Sequence, residues 1–199
     1  MINFTFLEVT DKKLLDKVFT FRYRILVEVY PEYVRKMGIT GGEEHDKYDP
    51  YAVHFAALNE DGEVCATVRL IYHSKVGYPT ENSAQFDNSM FERDKLGEMS
   101  RIFVDKRYRS IKNTKIIIQA VKEFMYIKMM QEGIEYTYGY LEESFLRLLK
   151  IYKMPYHPIG AIHQDELIGL RYPCILHTKE LGRENPELIK LWEQKQYEI

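Results

Sequence analysis

The sequence predicts a single mixed α/β domain spanning residues 1–199, with a central sheet flanked by helices. Three observations point there. Short apolar, β-rich runs alternate with longer stretches whose apolar residues recur at helical spacing. A chain of 199 residues is long enough to bury one substantial core, and no segment repeats another. Its apolar content, 45%, is that of an ordinary folded protein and excludes a disordered one.

The elements follow in order. Residues 3–9 alternate loosely and read as a first strand. Asp11 caps a helix whose Leu14, Leu15, Val18, Phe19, Arg22 and Leu26 keep helical spacing, and Pro31 ends it or starts a second short one. Thr40-Gly41-Gly42 is a turn. Residues 43–50 form a densely charged loop, which on composition alone is solvated surface. Residues 52–58 and 64–72 are strands joined by Asn59-Glu60-Asp61-Gly62, a hairpin signal. Residues 73–95 show little periodicity, and so long a connection in a compact domain is often a binding loop. A helix is predicted over 113–131. A strand follows over 135–141, with Tyr136, Tyr138 and Tyr140 on one face, packed on a helix or lining an apolar channel. Another helix is predicted over 142–152. Strands over 159–162 and 170–177, with 164–166 between them, precede a terminal helix over 186–194.

Charge and cysteines exclude several classes. A net charge of −2 argues against nucleic-acid binding through bulk charge. No run approaches the ~18 apolar residues of a membrane span, and the first residues lack a signal-peptide pattern, so a cytoplasmic protein is expected. Cys65 and Cys174 lie in apolar strand-like runs, with neither a disulfide framework nor metal-ligand spacing. His157, His163 and His177 form no metal-like grouping with carboxylates, so no metal is expected.

Between the long connection and the long helix lies the stretch Leu96 to Asp105. Ile102, Phe103 and Val104 are apolar and read as a buried strand. Ahead of them, Glu98, Ser100 and Arg101 stand where a core strand would take aliphatic residues. Buried charges are costly unless paired or put to use. Glu98 and Arg101 are three apart and would face opposite ways on a regular strand, so a β-bulge is expected between them. Arg69 interrupts an apolar strand in the same way and needs an acid or a cleft. The strand, loop and helix N-terminus that follow can present N–H groups to an anion or a polarised carbonyl.

Four motifs succeed one another along these elements: Arg22 in the first helix, Glu44-His45-Asp46-Lys47-Tyr48-Asp49, Arg69-Leu70, and Glu98-Met99-Ser100-Arg101. In this order the chain resembles the acyl-homoserine-lactone (autoinducer) synthases and the long-chain N-acyl amino acid synthases, within the GNAT superfamily. The resemblance implies a GNAT-like acyltransferase fold with a central mixed, mostly antiparallel sheet flanked by helices. It implies catalytic roles for Glu98, Ser100 and Arg101, and an acceptor-binding charge network of Arg22, Asp46, Asp49 and Arg69. The chain departs from the autoinducer pattern at Leu26, where an aromatic is usual, and at a tryptophan position only approximated by Tyr30 or Tyr33. Leu70-Ile71-Tyr72-His73 replaces the usual Leu-Leu-Pro-Thr. These changes alter the acceptor side, so an amino acid fits as acceptor at least as well as S-adenosylmethionine. The alternatives are an acyl-homoserine-lactone synthase, an acetyl-CoA-dependent GNAT enzyme, and a non-catalytic ligand sensor on the same fold.

Aminolysis of a thioester needs a neutral amine, a polarised carbonyl and a route for the proton. Glu98 is the candidate base, directly or through one water. N–H groups near Ile102, Phe103 and Val104 are candidates to hold the thioester carbonyl, with Arg107 and Arg109 on the donor. The tyrosine row, with Met125, Met129 and Met130 behind it, offers apolar area for a medium or long acyl chain. No cofactor is bound permanently; the acyl-phosphopantetheine of a carrier protein or of CoA is the co-substrate. CoA-binding GNAT enzymes carry Gln/Arg-x-x-Gly-x-Gly/Ala before the central helix, whereas residues 107–114 contain no glycine. The expected donor is therefore acyl carrier protein. Its acidic helices would meet Lys106, Arg107, Arg109, Lys112 and Lys115, and then Arg147, Lys150 and Lys153.

Overall fold

The computed structural model describes residues 3–197. Strands Thr5–Glu8 (β1), Ala52–Leu58 (β2), Val64–Tyr72 (β3), Leu96–Val104 (β4), Tyr136–Leu141 (β5), His157–Pro158 (β6), His163–Asp165 (β7) and Gly169–His177 (β8) form one sheet. Its order is β1-β2-β3-β4-β5-β8-β6, with β7 also on β8. Every pairing is antiparallel except β4 with β5. The helices are Lys12–Val29 (α1), Pro31–Lys36 (α2), Pro79–Ser83 (α3), Ile111–Gln131 (α4), Glu143–Ile151 (α5), Thr178–Glu184 (α6) and Pro186–Tyr197 (α7).

Local sequence sets the helix ends. Asp11 accepts from the Leu14 N–H at 2.9 Å, and Ser110 accepts from the Asn113 N–H at 3.2 Å. The Ser110 cap starts α4 two residues before the apolar pattern does. α1 then buries Val18, Phe21 and Ile25 against Ala56 and Val64 on one face of the sheet. On the opposite face, Phe55, Val68, Leu70 and Met99 pack with Ile118, Met125 and Met129 of α4. This two-sided burial explains why β2 and β3 read as nearly continuous apolar runs.

β4 and β5 pair only over Leu96–Glu98 and Tyr136–Tyr138, and beyond that they part. The parting places Glu98 at the apex of a notch in the sheet. Gly97, just before it, has no room for a side chain, since a Cβ there would lie 2.9 Å from the Ile71 carbonyl oxygen.

Three expectations are corrected. Residues 159–162 are not a strand: Ile159 N–H still donates to the Pro173 carbonyl at 2.9 Å, but Pro173 has no N–H to return. Gly160 sits so close that a Cβ would lie 2.9 Å from the Pro173 ring. Pairing instead falls to β6 before this segment and β7 after it, so Gln164 and Asp165 belong to a strand and not to a connection. The connection 73–95 contains α3, and α6 precedes the terminal helix; neither was predicted. The tyrosine row does share a face, but residues of that connection cover Tyr136 and Tyr138, and Tyr140 meets His163 of β7. The Tyr138 ring meets those of Tyr78, Phe86 and Phe91 at 5.9, 5.3 and 5.7 Å.

Candidate active site

The bulge falls at Arg101. Arg69 lies opposite Ser100 and Thr67 opposite Phe103, so β4 holds one residue more than β3 across this step. Arg101 takes a φ of +52°, a left-handed conformation that costs a non-glycine residue on the order of 1–3 kcal/mol. Alternation already puts Glu98 and Ser100 on the α1 face. The bulge brings Arg101 round to join them.

There the charged loop folds inward. Arg22 of α1 donates to Glu44 at 2.5 Å and to both oxygens of Asp49 at 2.8 and 3.2 Å. Arg69 of β3 donates to Ser100 Oγ at 2.9 Å, to Asp46 at 2.7 and 3.1 Å, and to Asp49 at 2.8 Å. Arg101 donates to Glu44 at 2.8 Å, to Asp46 at 3.1 Å and to the Tyr33 hydroxyl at 3.3 Å. Three guanidinium groups thus face three carboxylates. Arg22, Arg69 and Glu44 are almost wholly buried, whereas Asp46 and Arg101 keep 23% and 17% of their side chains exposed and form the network's open edge. Burial alone would raise Glu44, but Arg101 and Arg22 outweigh it and hold its carboxyl down at about 2. Asp49 is depressed as well: Arg69 and Arg22 overcome its burial. His54, opposite Arg69 on β2, is lowered to about 4 by burial and stays neutral at neutral pH, though Asp49 lies 3.6 Å away.

Glu98 stands beside this network and, among the described residues, forms no ion pair of its own. Its carboxylate accepts from the Thr80 N–H at 3.0 and 3.2 Å and from the Thr80 hydroxyl at 2.9 Å. Burial pushes it up to about 7, against the lowering effect of Thr80 and Arg69. A carboxylate titrating there is suited to take a proton near neutral pH.

The remaining predicted residues lie elsewhere. Ile102, Phe103 and Val104 continue β4 along the notch. Arg107 donates to Asp105 at 2.9 Å, and Asp105 also accepts from Arg24 of α1 at 2.6 Å. Arg109 donates to the Val104 carbonyl at 2.8 Å, folding its side chain over the strand end. Lys112 and Lys115 are exposed at the start of α4. Arg147 and Lys150 are exposed on α5, with Arg147 paired to Glu143 at 3.3 Å, and Lys153 is exposed just beyond it. Cys65 and Cys174 are buried and raised by burial to about 11 and 12, which keeps both thiols protonated.

Residue-level reasoning missed Thr80, whose segment carries no periodic signal. Glu44 lies within its motif without a signal of its own, yet the buried Arg22 on the facing helix requires an acid, and Glu44 supplies it.

Residues 21–119 match the family model described as an acetyltransferase (GNAT) domain. No curated protein sequence matches the chain. Among solved structures it is similar to BjaI, a CoA-dependent acyl-homoserine lactone synthase with SAM and isopentyl-CoA. That match has 20% identity and a TM-score of 0.67, covering 94% of this chain and 90% of that one. It is similar to TofI in a ternary complex with an inhibitor and MTA, with 15% identity, TM-score 0.69, and coverage of 94% and 99%. FeeM, an N-acyl amino acid synthase from uncultured soil microbes, gives 12% identity, TM-score 0.66, and coverage of 92% and 95%. At these identities the likeness is one of fold. Over residues 21–119 the chain is thus similar to the GNAT acetyltransferase domain, and it shares the fold of these acyl-transferring synthases.

Proposed function

We propose that the protein transfers a medium or long fatty acyl chain from an acyl thioester to the amine of an amino acid or amino-acid derivative. The observation that carries this is the pairing of two unlike sites. Glu98, a buried carboxylate poised near 7, stands at the apex of the β4–β5 notch, next to a neutralised network with one open edge. At that edge Asp46 suits an acceptor's ammonium group and Arg101 its carboxylate, which would bring the amine beside β4. Once the bound ammonium has lost a proton to solvent, Glu98 takes a second proton as the neutral amine attacks the thioester carbonyl, with notch-facing N–H groups along Ile102 to Val104 as candidates to hold the oxyanion. The C–S bond then breaks, the amide forms, and the departing thiolate takes the proton from Glu98. Ser100, fixed by Arg69, holds the strand between them.

Acyl carrier protein is our donor. The loop after β4 has no glycine for a close pyrophosphate cradle, and Arg109 folds over the strand end. Exposed Lys112, Lys115, Arg147, Lys150 and Lys153 suit an acidic carrier. BjaI, similar in fold, is CoA-dependent, so the two donors are compared directly. The test incubates the protein with acyl carrier protein or CoA thioesters, amino acids or S-adenosylmethionine, and identifies products by mass spectrometry. An N-acyl amino acid is expected, with Arg147→Glu/Lys150→Glu raising KM for the carrier donor and salt doing the same. Glu98→Gln should lower kcat by about 10²–10⁴-fold. Transfer of acetyl alone, or unchanged turnover in Glu98→Gln, rejects the reading.

A further inference from the structure

We propose that Thr80 is a positioning residue for Glu98, fixing the buried carboxylate in one orientation through its hydroxyl and its N–H. This rests on Glu98 being the base of the transfer. Thr80 supplies all three of the hydrogen bonds that Glu98 accepts among the described residues, and both carboxylate oxygens are engaged. Thr80 is fully buried and Glu98 is 1% exposed, so water does not substitute for these donors.

The segment that carries Thr80 is anchored to both halves of the site. The Tyr78 hydroxyl donates to the Leu96 carbonyl at 2.5 Å, tying α3 to the start of β4. Asn82 donates to the Tyr48 hydroxyl at 2.5 Å, tying α3 to the charged loop. Arg93 pairs with Glu81, whose other oxygen accepts from the Tyr78 N–H. Such anchoring costs chain entropy, and its result at the site is two donors delivered to one carboxylate. The ionisable groups around Glu98 are Arg69 from β3, Glu81 from α3, and the tyrosines Tyr78, Tyr138 and Tyr156. Arg69 and Thr80 favour the ionised carboxylate, while Glu81 and burial oppose it. Without the hydroxyl, Glu98 keeps the N–H alone and ionises later.

Thr80→Val removes the hydroxyl while keeping shape and N–H; Thr80→Ser restores the hydroxyl. Selectively ¹³C-labelled glutamate reports the titration of Glu98, its signal assigned by loss in Glu98→Gln. In Thr80→Val the midpoint should move up, the acid limb of kcat/KM should follow it, and kcat at neutral pH should fall about 10–100-fold with acceptor KM little changed. Thr80→Ser should stay close to wild type. The inference is overturned if Thr80→Val titrates like wild type, or if Thr80→Ser loses as much as Thr80→Val. Should Thr80→Val not fold, Thr80→Ala replaces it under the same two criteria. Full activity of Glu98→Gln would reject the base assignment instead, while the titration still decides the role of Thr80.

Discussion

Glu44 and Glu98 are equally buried, each about 1% exposed, yet they ionise in opposite directions. Glu44 meets two guanidinium groups and is held at about 2; Glu98 meets a hydroxyl and an N–H and rises to about 7. Burial sets the cost of charge in both places, and the partner decides who bears it. Full charge compensation leaves Glu44 ionised at neutral pH, which suits a lock between α1, the charged loop and β4. Neutral donors leave Glu98 divided between two protonation states, which suits proton transfer. The two settings meet at Arg69 of β3, which touches the network directly and reaches Glu98 only through its field.

The contrast breaks most severely at Arg22. Arg22→Ala strands Glu44 with one guanidinium and strips both hydrogen bonds from one edge of Asp49. A loss of about 3–5 kcal/mol is expected in urea or guanidinium unfolding, because a buried charge is left without its partner. A loss below about 1 kcal/mol, the range of exposed pairs, would mean the network is not a lock.

The two carboxylates should also pull stability in opposite directions with pH. Glu44 ionises more readily folded than unfolded, so its contribution is present above about 4.5 and is lost as pH falls toward 2. Glu98 ionises less readily folded, so its contribution is complete below about 4.5 and is lost as pH rises through 7. Glu98→Gln removes only the second effect. Relative to wild type, the variant should gain about 2–3 kcal/mol between pH 4.5 and 8, whatever the substitution costs at either end. A difference that stays flat across that range would place Glu98 in a far more polar setting than its burial implies.

How much of this contrast is visible in the sequence depends on where the signal resides. Arg69, Glu98, Ser100 and Arg101 stand out because polar residues interrupt strands that are otherwise apolar, and the three-residue spacing of Glu98 and Arg101 demands the bulge that is found. Asp46 and Asp49 carry no such signal, since a charged loop looks solvated until an arginine on a facing helix needs it. Thr80 is invisible: one threonine in an aperiodic connection says nothing about the carboxylate it will reach. The 159–162 run misleads because its isoleucines look like strand while Gly160 and Pro173 forbid the pairing. α6 goes unseen because Leu181 is its only large apolar residue, too few for a helical pattern.

The smallest expected effect sharpens the neutral side of the comparison. Tyr156 is 5% exposed, packs over Gly139 just past the last residues joining β4 to β5, and its hydroxyl finds no hydrogen-bond partner among the described residues. A buried unpaired hydroxyl costs about 1–3 kcal/mol, and phenylalanine keeps the ring while discarding that cost. Tyr156→Phe should therefore raise stability by about 1 kcal/mol, a Tm gain of about 2–4 °C for a chain of this size. Burial and the nearby charge of Glu98 both hold the Tyr156 phenol protonated, so it stands as a donor at working pH. Stability and activity then separate two meanings of the orphan group. If Tyr156→Phe gains stability and keeps kcat/KM, the hydroxyl is a packing cost and the notch is tuned by Glu98 and its neutral donors alone. If it gains stability but loses kcat/KM, the hydroxyl is held for an acceptor atom that the acyl donor brings. A loss of stability would show that the hydroxyl is already satisfied, and Tyr156 would drop out of the comparison.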